Sequence, residues 1–262
     1  MTQSIDPLII SGMAENNARH KAGVRAYLDR IIPNREEHAK FMNMLSMLEH
    51  MGSRKIMVSQ MHKGDTLTED TLKHLAEEAR HAYFFKRQAE RAAQRSLDGW
   101  NDENTTARVP ALMYFGRMDA GITKRLAEGQ TKEWHPEQSE MKSSGAEGSQ
   151  PKQSDPSTSA LRASAQDDNK EAGGSDPYYW VSLIIELRAC WLYTIYQEAL
   201  EASDYQLSLK SLIAEEDGHL EEMFEMCGEN TELLRELSAF ETQLFEKLWS
   251  QIENTVQIKA AA

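Results

Sequence analysis

A short motif that occurs twice limits what this chain can fold into. Residues 76–81 read AEEARH, and residues 214–219 read AEEDGH. In an α-helix, side chains three residues apart lie on one face, with about 5–6 Å between their Cβ atoms. Each copy therefore places a glutamate and a histidine where they can grip one metal ion, and these pairs are Glu78 with His81 and Glu216 with His219.

A lone glutamate precedes each copy of the motif, inside an otherwise apolar helical segment. Glu49 comes 29 positions before Glu78, and Glu186 comes 30 positions before Glu216. In an antiparallel helical hairpin with a loop of about 3–6 residues, this spacing brings the lone glutamate level with the Glu-x-x-His pair. The pattern predicts two hairpins that direct six ligands to a dimetal site in a four-helix bundle. These ligands are Glu49, Glu78, His81, Glu186, Glu216 and His219.

The order Glu, Glu-x-x-His, Glu, Glu-x-x-His, with a long interruption between the halves, resembles the ferritin-like di-iron carboxylate superfamily. The resemblance covers residues 34–95 and 176–227. It implies an all-α fold with a ferritin-like four-helix bundle, in which a long crossover joins two antiparallel helical hairpins. Extra N- and C-terminal helices are expected around the bundle. The resemblance also implies two iron ions as cofactors, and the carboxylate and imidazole ligands suit manganese as well.

The chain is expected to form a single domain over residues 1–262. Its predicted segments are a first hairpin at 34–97, a crossover at 98–130, an insertion at 131–175, a second hairpin at 176–228 and a C-terminal helix at 231–254. The insertion is rich in Ser, Gln, Gly and charged residues and has almost no aliphatic ones. Such a segment cannot bury enough surface to offset its ordering entropy, so we expect a flexible, low-complexity connection.

Polar residues before the helical patterns predict where helices begin. Asn34, Thr68 and Asp176 have the side chains that cap a helix N-terminus, and a proline follows Asp176 directly. Ser203-Asp204 is expected to cap the fourth bundle helix, and Lys63-Gly64-Asp65 to turn the first hairpin.

Apolar spacing predicts which helix faces are buried. A first helix over residues 14–32 is expected to bury Ala18 and Ala22 together with Tyr27, Leu28 and Ile31. In the second bundle helix, Leu72 and Leu75 are expected to share the inward face with the Glu78 pair.

Composition excludes several classes of partner. Acidic side chains outnumber basic ones by 42 to 29, which gives a formal net charge of −13, so nucleic acid is not expected to bind. No apolar run reaches the length of about 18 residues that a membrane helix needs, so a cytoplasmic protein without a membrane partner is expected. The two cysteines, Cys190 and Cys227, are too few for a disulfide scaffold or a four-thiolate metal site.

Other residues near the predicted site have two readings each. Tyr193 shares the metal-facing side of the third bundle helix, so it is either a redox-active, catalytic phenol or a packed core residue. Gly52 and Gly218 either open space beside the metals or allow close helix packing. Glu77 and Glu215 are expected either in solvent or behind the ligands.

Two functions of different class follow from the ligand set. The first is a non-haem di-iron oxygenase or oxidase, which uses dioxygen or peroxide and an unknown electron donor to oxidise a small organic substrate. The second is a ferritin-like iron-handling protein that oxidises or stores ferrous iron, with peroxide scavenging between the two. Extra helices and a long insertion would burden a closed storage shell, so the enzyme is favoured, as a monomer or homodimer.

Overall fold

All regular secondary structure in the described part of the chain is α-helix. A computed structural model describes residues 7–60, 68–133 and 176–260, which form seven helices and no strand. The helices are α1 (Pro7–Ile31), α2 (Arg35–Gln60), α3 (Glu69–Ala93), α4 (Arg108–Glu133), α5 (Pro177–Glu201), α6 (Lys210–Met226) and α7 (Thr231–Ala260). Over these residues the all-α prediction is confirmed.

Two parts of the sequence that carried predictions lie outside the described residues. One is the turn at 63–65, and the other is the insertion at 131–175 apart from 131–133, which continue α4. The C-terminal helix is longer than the predicted 231–254, because α7 extends to Ala260.

The helices α2 and α3 run antiparallel and pack against each other along their length. Near one end Arg95 binds Glu36 at 2.9 Å, and further along Ser46 donates to the carbonyl of Ala82 at 2.8 Å. This pairing brings Glu49, one turn beyond Ser46, beside the Glu-x-x-His pair of α3.

The helices α5 and α6 form the corresponding second pair. Lys210 binds Glu201 at 2.9 Å near the connection, and Cys190 contacts Asp217 further along, so the two helices also run antiparallel. The helix α5 touches α2, and α6 touches α3, so the four helices that carry the predicted ligands are neighbours.

The remaining helices α1 and α4 each pack against α7, and all three pack against α5. A buried ion pair fastens this layer, because Arg188 of α5 contacts Glu241 of α7 at 2.5 and 2.8 Å. Tyr114 of α4 donates to the same carboxylate at 2.5 Å, and Asn17 of α1 accepts from Arg188 at 2.8 Å. Four helices therefore meet at one buried polar cluster, which holds α5 in place close to Glu186.

Three of the predicted helix starts are confirmed. Asn34, Thr68 and Asp176 each accept a hydrogen bond from a backbone N–H two or three residues later, at 3.3, 3.2 and 2.9 Å. These contacts satisfy amide groups that the first turn of a helix leaves without a partner.

The predicted start of the fourth ligand-bearing helix was wrong. Ser203 and Asp204 lie in an irregular connection, and α6 begins only at Lys210. The side chain of Ser203 is used within that connection, where it accepts a backbone hydrogen bond at 3.2 Å. The amide of Leu209 is satisfied instead by Gln197 of α5 at 2.6 Å, so a tertiary contact takes the place of a local cap.

Two predicted helix faces also need correction. Leu72 is 51% exposed, and the buried stripe of α3 begins at His74 and continues through Glu78 and His81. Leu72 precedes His74 by two residues, which corresponds to a rotation of about 200° around the helix axis. Leu72 therefore faces away from that stripe. In α1, which begins at Pro7 rather than 14, Ala18 and Ala22 are exposed, while Tyr27, Leu28 and Ile31 are buried as predicted.

Candidate metal centre

The six predicted ligands meet in the interior between α2, α3, α5 and α6. All six are buried, and the most exposed of them, Glu49, is only 7% exposed. Four carboxylates in a protein core carry a large desolvation cost unless cations or protons compensate their charge.

The ligand atoms form two buried clusters that can hold metal ions, with all atoms of each cluster within 4.8 Å of one another. One cluster comprises His74, Glu78, Glu186 and His219, and the other comprises Glu49, Glu78, His81 and Glu216. Glu78 belongs to both. The two clusters are therefore adjacent and share a carboxylate, which is the arrangement that a dinuclear centre requires.

His74 is a candidate ligand outside the six that the repeated motif predicts. Its Nε2 atom lies 3.5 Å from Oε1 of Glu186 and 3.8 Å from Oε1 of Glu78. One signal was available, since His74 precedes Glu78 by four residues and so lies on the same helix face. Comparison of the two motif copies does not point to His74, because the matching position in the second copy is Leu212.

Several buried polar atoms of the centre have no hydrogen-bond partner among the residues that the structure describes. They are Nε2 of His74, Oε1 of Glu78, Nδ1 of His81 and Oε1 of Glu216. Nδ1 of His81 and Oε1 of Glu216 are 3.0 Å apart, yet their orientation does not satisfy either atom. An unsatisfied buried polar group costs about 1–3 kcal/mol, and these four converge on one space. Cations bound there would satisfy them, so the residues fit a pair of metal ions.

Two further glutamates, Glu77 and Glu215, contact the Nε2 atoms of the two motif histidines. Nε2 of His81 contacts Glu215 at 2.7 Å, and Nε2 of His219 contacts Glu77 at 2.9 Å. When Nε2 donates to a carboxylate, the tautomer leaves Nδ1 free to bind a metal. Arg80 anchors Glu215 at 2.6 Å. Of the two expectations for Glu77 and Glu215, the structure therefore places both behind the ligands.

Tyr193 and Gly52 lie next to two of the candidate ligands. The hydroxyl of Tyr193 donates a hydrogen bond to Oε1 of Glu49. A Cβ atom at Gly52 would lie 2.5 Å from Oε2 of Glu78, so the glycine provides the space that this carboxylate occupies. Gly218 differs, because a Cβ atom there would meet no other atom within 4 Å. Only Gly52 opens space at the centre.

Burial and mutual repulsion hold protons on three of the carboxyl groups. Burial is the largest cause that raises the pKa of Glu49 to about 7, and repulsion from Glu216 adds to it. Burial likewise raises the pKa of Glu78 and the pKa of Glu186 well above the usual range, with their carboxylate neighbours acting in the same direction. In the absence of metal these groups are therefore protonated in mildly acidic solution, and metal ions compete with protons for them.

Three further groups of the centre, Glu216, His81 and His74, also have shifted pKa values. Burial opposes ionisation of Glu216, but its contacts with His219 and His81 outweigh burial and lower its pKa. Burial opposes the charged form of His81, but its contact with Glu216 and the negative charge of Glu49 outweigh burial and raise its pKa to about 9. Burial, reinforced by the neighbouring His219, lowers the pKa of His74 to about 3, so its imidazole is neutral at physiological pH.

A small apolar chamber of about 70 Å³ adjoins the centre between α2, α4 and α5. Its wall includes Glu49, Gly52, Glu78, Glu186 and Tyr193 on the side of the centre. Apart from Arg188, the rest of the lining is aliphatic and aromatic, and it includes Leu45, Leu48, Phe115, Ile185 and Leu192. Four of the predicted site residues, Glu49, Glu78, Glu186 and Tyr193, therefore open onto a space that disfavours water.

Fold and site together define an all-helical protein with two buried clusters of histidine and glutamate that can bind metal ions. Comparison of the chain with protein-family models, curated proteins and solved structures found no match. Among the helices within 7–60, 68–133 and 176–260, none has both the length and the apolar character of a membrane span. A function must therefore be argued from the chemistry of the site.

Proposed function

We propose that this protein is a ferritin-like, non-haem di-iron oxidoreductase that uses dioxygen or peroxide to oxidise a small organic molecule. The observation that carries the proposal is the pair of buried clusters that share Glu78. Carboxylate and imidazole ligands suit iron or manganese, and the resemblance of the motif order to di-iron carboxylate proteins favours iron.

The residues of the chain have separable tasks in this proposal. The glutamates and the three histidines would hold the two ions, which when bound supply electrons for the reduction of dioxygen or peroxide. Glu77 and Glu215 fix the orientation of His219 and His81 and keep Nδ1 of each ring directed at the centre. Tyr193 holds a proton beside Oε1 of Glu49, where it can move between the hydroxyl and the carboxylate.

The chamber supports a small and apolar reactant. Its side chains exclude water from the side of the centre formed by Glu49 and Glu186, and Gly52 keeps Glu78 in contact with it. Dioxygen is apolar and fits a space of about 70 Å³.

The size of the chamber also favours a second candidate function, the oxidation of ferrous iron or the removal of peroxide. A cavity of about 150 Å³ is known to bind benzene, and this chamber has less than half of that volume. An organic substrate of the size of benzene would have to displace side chains such as Leu192 or Phe115. Dioxygen or peroxide would not, and a ferrous ion would need no organic pocket.

Metal loading tests the dinuclear proposal. Metal-free protein loaded with ferrous iron under anaerobic conditions should bind about two ions per chain, because the clusters supply two sets of ligands. Glu78→Ala should reduce loading at both sites, since Glu78 is shared. Glu221→Ala, at an exposed glutamate of α6, is the matched control and should load normally. Loading of one ion or none in a folded wild-type protein would refute the proposal.

Particle size and an iron titration in air separate the two candidate functions. For the oxidoreductase we expect a monomer or dimer by size-exclusion chromatography with light scattering, and no retention of iron beyond the two ligated ions. The reduced protein should consume dioxygen. A large closed particle that retains many iron ions per chain would favour storage instead.

A further inference from the structure

The two clusters do not offer the same ligands. The cluster of His74, Glu78, Glu186 and His219 supplies two imidazoles and two carboxylates, and we call it the two-histidine site. The cluster of Glu49, Glu78, His81 and Glu216 supplies one imidazole and three carboxylates, and we call it the one-histidine site. The internal repeat of the sequence predicts two equivalent halves, whereas the structure has two unequal sites.

His74 accounts for the additional imidazole of the two-histidine site. It is 3% exposed, and its Nε2 atom, directed at Glu186 and Glu78, has no hydrogen-bond partner among the described residues. Its ring centroid lies 4.2 Å from that of His219, so both imidazoles approach the same space. The corresponding residue of the second motif, Leu212, is equally buried but has no atom that binds a metal.

Ligand chemistry predicts different preferences for the two sites. Imidazole nitrogen suits the later divalent ions of the first transition row, whereas carboxylate oxygen suits manganese and other hard cations. The affinity of a given site rises from Mn²⁺ through Fe²⁺ to Co²⁺, and more nitrogen ligands widen this difference. In addition, Glu78 belongs to both sites, so the charge that it provides to one ion is partly lost to the other.

We infer that the centre fills in a fixed order, with the two-histidine site taking the first divalent ion and the one-histidine site taking the second. The one-histidine site accepts manganese in preference to the two-histidine site, so the chain can hold a mixed pair of ions. This inference rests on the proposed dinuclear function and specifies how its cofactor is assembled.

A cobalt titration of the metal-free, full-length protein tests the order of filling. The absorbance of Co²⁺ reports its ligands, and a calorimetric titration of the same sample reports affinity. We expect two resolved steps in the wild type. His74→Leu, which installs the residue of the second motif, should weaken the first step by more than about tenfold, and the second step should remain. His20→Leu, at a partly buried histidine of α1, is the matched control and should titrate like the wild type.

Manganese tests the preference of the second site. After one equivalent of Co²⁺, added Mn²⁺ should bind in a single step, and electron paramagnetic resonance should show it bound next to cobalt. In His74→Leu the first equivalent of Co²⁺ should no longer be confined to one site, so Mn²⁺ should compete with it. Circular dichroism checks that each variant is folded, and His74→Gln provides a second variant that keeps a polar side chain.

The possible outcomes separate this inference from the proposed function. Two equal, unresolved binding steps in the wild type would overturn the fixed order and leave a dinuclear centre intact. Wild-type titration behaviour of both folded His74 variants would overturn it as well. A folded wild-type protein that binds no metal would overturn both the inference and the proposed function.

Discussion

Glu77 of α3 accepts a hydrogen bond from Nε2 of His219 of α6 at 2.9 Å. The reverse contact also exists, because Glu215 of α6 lies 2.7 Å from Nε2 of His81 of α3. The first glutamate of each Glu-Glu-x-x-His motif therefore supports the histidine of the other copy. This exchange explains why both motifs carry two adjacent glutamates, since one points to the centre and the next points across to the neighbouring helix.

The exchange predicts that the supporting glutamates tune metal affinity. Glu77→Gln and Glu215→Gln should each weaken metal binding by about 10–100-fold, because the amide no longer accepts as a carboxylate and His219 or His81 loses its fixed tautomer. Affinity measured by competition with a metallochromic chelator gives the size of the effect. Glu221→Gln, also on α6 but exposed, controls for the loss of one charge. Unchanged affinity in both supporting variants would contradict this role.

The two helical glycines near the motifs offer a matched comparison. Gly52→Ala should disturb metal loading, because the new Cβ atom would lie 2.5 Å from Oε2 of Glu78 and force that carboxylate to move. Gly218→Ala meets no other atom within 4 Å and should stabilise the protein by up to about 1 kcal/mol, since alanine favours a helix over glycine. Thermal unfolding measures the stability of both variants, and metal stoichiometry measures their loading. Equal loading in the two would show that Glu78 has room to shift.

Tyr193 should affect metal binding through the proton affinity of Glu49. The hydroxyl of Tyr193 donates to Glu49 and favours its charged form, so Tyr193→Phe should raise the pKa of Glu49 further. Metal affinity should then fall at pH 7 and recover at higher pH, where Glu49 loses its proton without help. Tyr83→Phe, at a tyrosine that is 62% exposed, is the control. A loss of affinity that does not recover with pH would indicate a purely structural role.

The raised pKa values predict how the stability of the metal-free protein depends on pH. The pKa of Glu49 is about 7 in the folded protein against an ordinary value of 4.5, so its neutral form stabilises the fold below pH 4.5. That contribution is lost as the pH rises to about 7. The loss from Glu49 alone amounts to about 3 kcal/mol, and the raised pKa values of Glu78 and Glu186 act in the same direction.

Two buried histidines oppose this trend over part of the range. The lowered pKa values of His74 and His38 make stability rise with pH up to about their unfolded value of 6.5, which offsets part of the loss from the three carboxyl groups. The net expectation is that the free energy of unfolding of the metal-free protein falls from pH 5 to pH 8, as measured with urea. Glu49→Gln cannot lose a proton, so it should gain stability relative to the wild type over the same range. A constant difference between the two proteins would be incompatible with a raised pKa at Glu49.

Local signals in the sequence were enough to predict six of the seven candidate ligands and most helix starts. A Glu-x-x-His pair occupies one turn of helix, so Glu78 with His81 and Glu216 with His219 are neighbours whatever the rest of the chain does. Capping by Thr68 is local in the same way, because the contact spans only three residues. The spacing between Glu49 and Glu78 predicted a contact between distant residues. In a hairpin with a short loop, residues at equal distances from the loop lie close together.

Contacts between different helices could not be predicted from local sequence patterns. The start of α6 depends on Gln197 of α5 and not on the local cap at Ser203. The partners of His81 and His219 are glutamates more than a hundred residues away, and no local pattern distinguishes them from solvent-facing ones.

The composition of the centre shows the same division most clearly. The sequence by itself determined that two similar motifs would bring carboxylates and imidazoles together, because helical periodicity depends only on neighbouring residues. Only the tertiary structure decided that His74 joins one cluster while Leu212 leaves the other without a second imidazole, and that the adjoining chamber is as small as about 70 Å³. Both features depend on how side chains from separate helices fill a shared volume, and packing of that kind is set by the whole fold.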